Sequence, residues 1–209
     1  MQCVASVADP KYIPEAEVAG ADAVELRLDL FPRSLSADQT TFIRRCRLPL
    51  IVTVRSRQEG GTFRGTPDDW WSRVSPWLSD ATLVDVEQDF SMLVPFIQDA
   101  GSEIIASFHS GRMLLGGELG AVASRLRAYG MPKVVVRPES PVDVLTLCWF
   151  TQRAEKPVIT SIIGSRYRYA RVMLPLFGSA MAFSYAGEAT AEGQFPVREL
   201  RQMLDALIE

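Results

Sequence analysis

Eight short apolar runs rich in β-branched residues, each followed by a segment of helical character, divide this 209-residue chain from end to end. The runs cover residues 3–7, 22–28, 50–55, 82–87, 103–109, 133–137, 158–162 and 180–185. Helical patterns follow at 14–19, 37–46, from Thr66 and Pro67, at 92–99, 118–129, 141–152, 167–177 and 197–208. Thr66 and Pro67 have the form of an N-cap followed by proline at the first helical position. Strict βα alternation predicts a parallel sheet covered by helices. Eight units is the number that closes a (β/α)8 TIM barrel, and this chain is short for that fold. The expected organisation is a single (β/α)8 barrel domain over residues 1–209.

An open, doubly wound sheet is the rival architecture, and alternation within the strands separates the two. Side chains of a strand alternate between its faces. In the second run Val24, Leu26 and Leu28 share one face, while Glu25, Arg27 and Asp29 share the other. Val52 and Val54 oppose Thr53 and Arg55; Val84 and Val86 oppose Asp85 and Glu87; Ile104, Ala106 and Phe108 oppose Ser107 and His109. Strands of an open parallel sheet meet helices on both faces and are apolar on both. Here one face turns polar toward the C-terminal end of strand after strand. A barrel accounts for this, with one face against the helices and the other lining a closed centre whose C-terminal mouth is the reactive end.

The sixth run, M-P-K-V-V-V-R-P (131–138), carries one of only three lysines in the chain. Lys133, unlike Lys11 and Lys156, lies within an apolar strand, on the face of Val135 and Arg137. Charge is costly to bury, so an interior lysine is a candidate neutral amine, and an amine condenses with a ketone to a Schiff base. A solvated edge-strand lysine is the ordinary alternative. For any single inward residue among Glu25, Arg27, Arg55, Asp85, Glu87, His109, Lys133 and Arg137, a structural ion pair is also ordinary. Their concentration on one face of successive strands points instead to a pocket for imine chemistry on a small anionic carbonyl compound. Arginine suits such an anion because its planar fork binds both carboxylate oxygens.

Composition narrows the partners. A net charge of −3 gives no field favouring nucleic acid or an anionic membrane, and no apolar run is long enough to span a bilayer. The N-terminus, M-Q-C-V-A-S-V-A, lacks the basic segment of a signal peptide and reads as a first strand. Cys3, Cys46 and Cys148 are far apart, without metal-ligand spacing, so a reducing cytoplasm is the expected location. His109 is the only histidine and has no cysteine cluster beside it, so neither a metal nor another cofactor is expected. A homodimer is compatible with the sequence, which does not decide assembly.

With these residues in place, the chain resembles the type I 3-dehydroquinate dehydratases, the Schiff-base class of the shikimate pathway of aromatic amino acid biosynthesis. The similarity runs from Ser6 to the C-terminal helix. It is carried by D-A-V-E-L-R-L-D (22–29), P-L-I-V-T-V-R-S-R-Q-E-G-G (49–61), V-D-V-E (84–87), I-I-A-S-F-H (104–109), P-K-V-V-V-R-P (132–138), the arginine of A-R-V-M-L-P-L-F-G-S (170–179) and A-T-A-E-G-Q (189–194). The resemblance implies a hydro-lyase that converts 3-dehydroquinate to 3-dehydroshikimate. Lys133 would form the imine, His109 would be the general acid–base, and Glu59 would orient and charge-balance it, raising its pKa. Ser6, Glu25, Arg27, Arg55 and Arg171 would contact substrate, with Thr190 and Gln194 on a closing loop. Another Schiff-base barrel, such as a class I aldolase, and a silent metabolite-binding barrel remain alternatives.

Some positions depart from the family pattern. Thr190 stands where serine is usual and keeps the hydroxyl. Glu192 stands where proline is common, which predicts a more mobile loop. Ser161 and Ile163 replace methionines. The short chain implies trimmed loops or a missing hairpin at the bottom of the barrel.

Overall fold

The computed structural model of the protein describes residues 1–207. Its eight strands are β1 (Gln2–Val7), β2 (Ala23–Arg27), β3 (Leu50–Thr53), β4 (Leu83–Glu87), β5 (Glu103–His109), β6 (Met131–Val136), β7 (Ile159–Ile162) and β8 (Met181–Tyr185). The helices are α1 (Ile13–Val18), α2 (Ala37–Arg45), α3 (Pro67–Val74), α4 (Val94–Asp99), α5 (Glu118–Arg127), α6 (Pro141–Arg153), α7 (Ala170–Leu176) and α8 (Val197–Leu207). Every strand pair is parallel, and β1 joins both β2 and β8. Only the β7–β8 seam lacks a full ladder. There Ala180 N–H donates to the Val158 carbonyl (2.8 Å), and the Ser179 hydroxyl accepts from Thr160 N–H (3.0 Å). The result is a nearly closed (β/α)8 barrel.

Local sequence accounts for the helix starts. Ser36 with Gln39, Thr66 with Asp69 and Ser140 with Asp143 form reciprocal capping boxes, and Pro67 and Pro141 occupy the first turns that follow. Such a cap is worth about 1 kcal/mol against alanine. The barrel floor is filled from the inward positions nearest the N-terminal strand ends: Val4, Ala23, Ile51, Leu83, Ile105, Ile159 and Met181, with Phe183 above them. The outward face of each strand joins a separate, larger core with the helices, including Val24, Leu26, Val52, Val84 and Val134.

Most boundaries shift from expectation by one or two residues, and three shifts have a visible cause. β3 ends at Thr53 rather than Arg55, because the Arg55 carbonyl accepts from Phe63 N–H (3.1 Å) and the following loop folds back on it. Residues Gln88–Leu93 form a 3₁₀ segment, so α4 begins two residues later than predicted. Tyr167 precedes α7, and its hydroxyl donates to the Glu139 carbonyl (3.0 Å). The predicted end of the last helix, Ile208, lies outside the described residues. Among the described residues every named strand belongs to the barrel, no antiparallel hairpin closes its bottom, and no helix is long and apolar enough to cross a membrane.

Candidate active site

Above the apolar floor the inward positions become polar. Ser6, Glu25, Thr53, Asp85, Ser107 and Lys133 lie at mid-height, and Arg27, Arg55, Glu87 and His109 toward the C-terminal mouth. Period-2 alternation places them on one face, and the closed sheet turns that face into an enclosure. Lys133 is 4% exposed. Its Nζ donates to Asp85 Oδ2 (2.8 Å), lies 3.7 Å from Glu25 Oε1, and stands 3.8 Å from the centre of the Phe183 ring. The interior lysine thus has a carboxylate partner from a strand two places away.

Asp85 is shared. Its Oδ1 accepts from Arg55 Nη2 (2.8 Å) and from the Ser107 hydroxyl (2.5 Å). Burial alone raises the Asp85 carboxyl, but Arg55 and Lys133 outweigh it and hold the group well below the usual carboxylate range. Arg55 also reaches Glu87 Oε1 (2.8 Å) and Ser107 Oγ (3.0 Å) through Nη1. Burial opposes its charge, but Asp85 and Glu87 outweigh that penalty and push its pKa upward. Glu25 is fixed by the hydroxyls of Ser6 and, at 2.9 Å, Thr53.

The loop after β3 supplies Glu59. Gly61 lets it fold tightly, since a Cβ there would fall 2.2 Å from the Arg55 carbonyl. Glu59 Oε2 accepts from the His109 backbone N–H (3.0 Å) and lies 2.8 Å from His109 Nδ1. An oxygen that already accepts the backbone N–H is the natural acceptor for Nδ1–H, which leaves Nε2 as the unprotonated nitrogen. The expected rise in the histidine pKa is overturned. Burial first, and then the cations Arg55 and Lys133, hold His109 well below 6.5. Burial also pushes the Glu59 carboxyl up to about 8; Arg55 opposes this, while Glu87 and Asp85 add to it. The buried pair therefore carries less charge than two exposed partners would.

Arg171 projects from α7 and is 6% exposed. It donates to Ser161 Oγ (3.3 Å), to the Ile162 carbonyl (2.6 Å) and to the Glu192 carbonyl (3.2 Å), while its Nε has no partner among the described residues. Burial, then neighbouring Arg168, lowers its pKa to about 10, so it remains a cation at neutral pH. All of its acceptors are neutral oxygens. A buried cation without a counterion is costly, and an incoming anion would relieve it.

The loop 189–194 caps the mouth. Arg27 holds Asp29 with both arms of its fork (2.8 and 2.9 Å) and donates to the Thr190 carbonyl (3.1 Å). Gln194 Oε1 accepts from Thr190 N–H, Thr190 Oγ1 and Ala191 N–H, each at 3.0 Å. The space beneath, about 70 Å³, is lined by Lys133, His109, Glu25, Arg27, Arg55 and Arg171, with Phe183 and Gln194. Ligand sites usually measure about 300–1,000 Å³, so this hollow is small for one. Roomier hollows of about 410 and 520 Å³ lie outside the mouth, near α3 and the loop after β3, and contain neither Lys133 nor His109.

Seven of the sequence-selected residues thus face one cavity. Glu59 stands behind His109, Ser6 lies beneath Glu25, and Thr190 supports the lid by its carbonyl and hydroxyl. Sequence reasoning placed Asp29, Asp85, Glu87 and Ser107 on the polar face without counting them as site residues, and passed over Phe183. Asp29 and Ser107 were legible from the same alternation. Phe183 was not, because an inward aromatic residue resembles core.

Comparisons with known proteins bear on the family and the fold. Residues 8–209 match the family model described as type I 3-dehydroquinase. The 3-dehydroquinate dehydratase of Methanoregula boonei is 42% identical over 99% of this chain and 100% of its own length. That of Methanospirillum hungatei is 32% identical over 99% of this chain and 81% of its own. The solved type I enzyme of Clostridium difficile superposes with a TM-score of 0.85 at 24% identity, covering 99% of this chain and 91% of that one. The Aquifex aeolicus enzyme gives 0.84 at 22% identity, with both chains fully covered. Since a barrel carries many chemistries, it is the sequence relationship along the whole chain that assigns it: the protein belongs to the type I 3-dehydroquinase family.

Proposed function

We propose that the protein dehydrates 3-dehydroquinate to 3-dehydroshikimate through an imine on Lys133, with His109 as general acid–base. One observation carries the reading: Lys133 and the Arg171 guanidinium, which has no carboxylate partner among the described residues, face the same cavity with His109 on its wall. A ring bearing both a ketone and a carboxylate satisfies the amine and the guanidinium together.

In this mechanism Lys133 Nζ gives a proton to His109 and attacks the ketone carbon, and His109 returns that proton to the carbinolamine hydroxyl, which leaves as water to give a protonated imine. The imine draws electrons from the adjacent C–H bond, and His109 Nε2 takes that proton. The electron pair forms the new C=C bond as the β-hydroxyl departs, leaving as water with the proton that His109 returns. Hydrolysis of the imine frees product and lysine, so the net change is loss of one water. Asp85 orients Nζ, Glu59 fixes the histidine tautomer, and Arg171 and Gln194 hold the substrate.

The test is incubation with 3-dehydroquinate, following absorbance of the conjugated product, and then trapping with borohydride. Turnover is expected, together with inactivation and a ligand mass on the peptide containing Lys133. Labelling at Lys11 or Lys156, or no labelling, would remove the imine assignment. Absence of turnover would remove the activity.

A further inference from the structure

The contacts that close the loop 189–194 fall into two groups. The carbonyls of Thr190 and Glu192 accept from Arg27 and Arg171, whose guanidiniums line the cavity. The Glu192 carboxylate points elsewhere. Its Oε1 accepts from Ser165 N–H (3.3 Å) and Ser165 Oγ (3.2 Å), and its Oε2 from Arg137 Nη2 (3.4 Å). Ser165 lies in the loop after β7, and Arg137 follows directly on β6. One side chain therefore pins the last βα loop to its two neighbours. Two glycines allow the approach. Gly193 has φ +79°, and a Cβ there would fall 2.2 Å from the Gly164 carbonyl; at Gly164 a Cβ would come 3.1 Å from Arg137 Nη1.

We propose that Glu192 is a positioning residue that latches this loop over the site, setting substrate affinity without touching substrate. The proposal rests on the activity given above. A cavity of about 70 Å³ is small for a substituted carboxylate-bearing ring, and the loop lying over it is the segment placed to move aside for entry. An incoming anion competes for Arg27 and Arg171, which weakens the first group of contacts. The Glu192 carboxylate engages neither arginine, so its contribution to closure is the same with the site empty or filled. Where the proline ring is missing, the polar contacts of Glu192 supply a constraint of another kind. Apparent affinity scales with the closed fraction, so loss of the latch raises KM and leaves the chemical step intact.

The experiment compares wild type with Glu192→Ala, Glu192→Gln and Gly193→Ala. Glu192→Ala is expected to raise KM about threefold to tenfold, in the range of a few exposed polar contacts, with kcat unchanged or higher and an unchanged melting temperature. Glu192→Gln keeps an acceptor for Ser165 but loses the ion pair, so its KM falls between. Raising salt to about 1 M, where the Debye length is about 3 Å, screens substrate binding equally in both proteins and so narrows the KM ratio between Glu192→Gln and wild type. Gly193→Ala blocks closure sterically and raises KM most. Hydrogen exchange of the ligand-free proteins supplies a readout independent of turnover: the Ser165 and Ala191 amides exchange faster in Glu192→Ala. Wild-type KM, salt response and exchange in Glu192→Ala overturn the latch, as does Gly193→Ala with unaltered KM. A wild type that fails to turn over 3-dehydroquinate instead overturns the assigned activity, and the exchange comparison still decides the latch.

Discussion

Lys133 and Asp85 come from strands that are not adjacent, yet Nζ and Oδ2 lie 2.8 Å apart at the centre of the barrel. The contact spans the interior rather than a ladder, since β5 lies between β4 and β6. It places the lysine amine over the Phe183 ring and under the cavity, held on one side by a carboxylate and on the other by an aromatic face.

Removing one member of such a buried pair strands the other. Asp85→Asn leaves Lys133 only Glu25 at 3.7 Å and deprives Arg55 and Ser107 of a charged acceptor. A loss of about 3–5 kcal/mol in unfolding free energy is expected, read from urea denaturation. Lys133→Met should cost less, because Asp85 keeps Arg55. A wild-type unfolding midpoint in Asp85→Asn would show that the pair contributes nothing to the fold.

His109→Ala should still form the imine and then stall before elimination. A general base contributes about 10²–10⁴-fold, so kcat should fall by at least that much while a substrate adduct accumulates on Lys133. Intact-protein mass spectrometry after mixing with substrate reads the adduct. Normal turnover, or early melting with activity retained, would make the histidine structural.

The His109–Glu59 pair gives stability a pH dependence of stated sign. Glu59 rises from 4.5 to about 8 on folding, so the folded chain keeps a proton that the unfolded chain releases. Its contribution is full below about 4.5 and is lost as pH rises through 8. His109 falls below 6.5 on folding, so its contribution is lost as pH drops below 6.5. The two oppose each other between 4.5 and 6.5, whereas between 6.5 and 8 Glu59 acts alone. Unfolding free energy should therefore decline across pH 6.5–8 in the wild type, and Glu59→Gln should flatten that decline. Equal slopes in the two proteins would contradict the assignment. Because His109 is held low, the acidic limb of kcat/KM should lie below the ordinary histidine range, and Glu59→Gln, which exchanges a neutral acid for a neutral amide, should leave it there.

Arg171→Ala should chiefly weaken binding. A charge-assisted contact to a carboxylate is worth about 1.5–3 kcal/mol, or about tenfold to hundredfold in KM, and is present both before and during reaction. Steady-state kinetics separate the cases: unchanged KM with collapsed kcat would give Arg171 another role.

By itself the sequence determined the architecture and the polar face. Strand periodicity is a local backbone property, so Glu25, Arg27, Asp85, His109 and Lys133 could be assigned to one side before any contact was known. The βα count then closed the sheet. Capping boxes such as Thr66 with Asp69 are equally local and equally readable. What only the tertiary structure decided were the partners and their charge states. Asp85 meets Lys133 across 48 positions of chain, and Glu59 meets His109 across 50. The direction of the His109 shift reverses the expectation from its carboxylate neighbour, because burial and two cations outweigh it. Glu192, read as a lost proline, becomes a tie between loops only where three strand ends converge. Such pairings depend on how strands stagger around the barrel and how much water the closed mouth excludes, and neither is encoded within reach of a single strand.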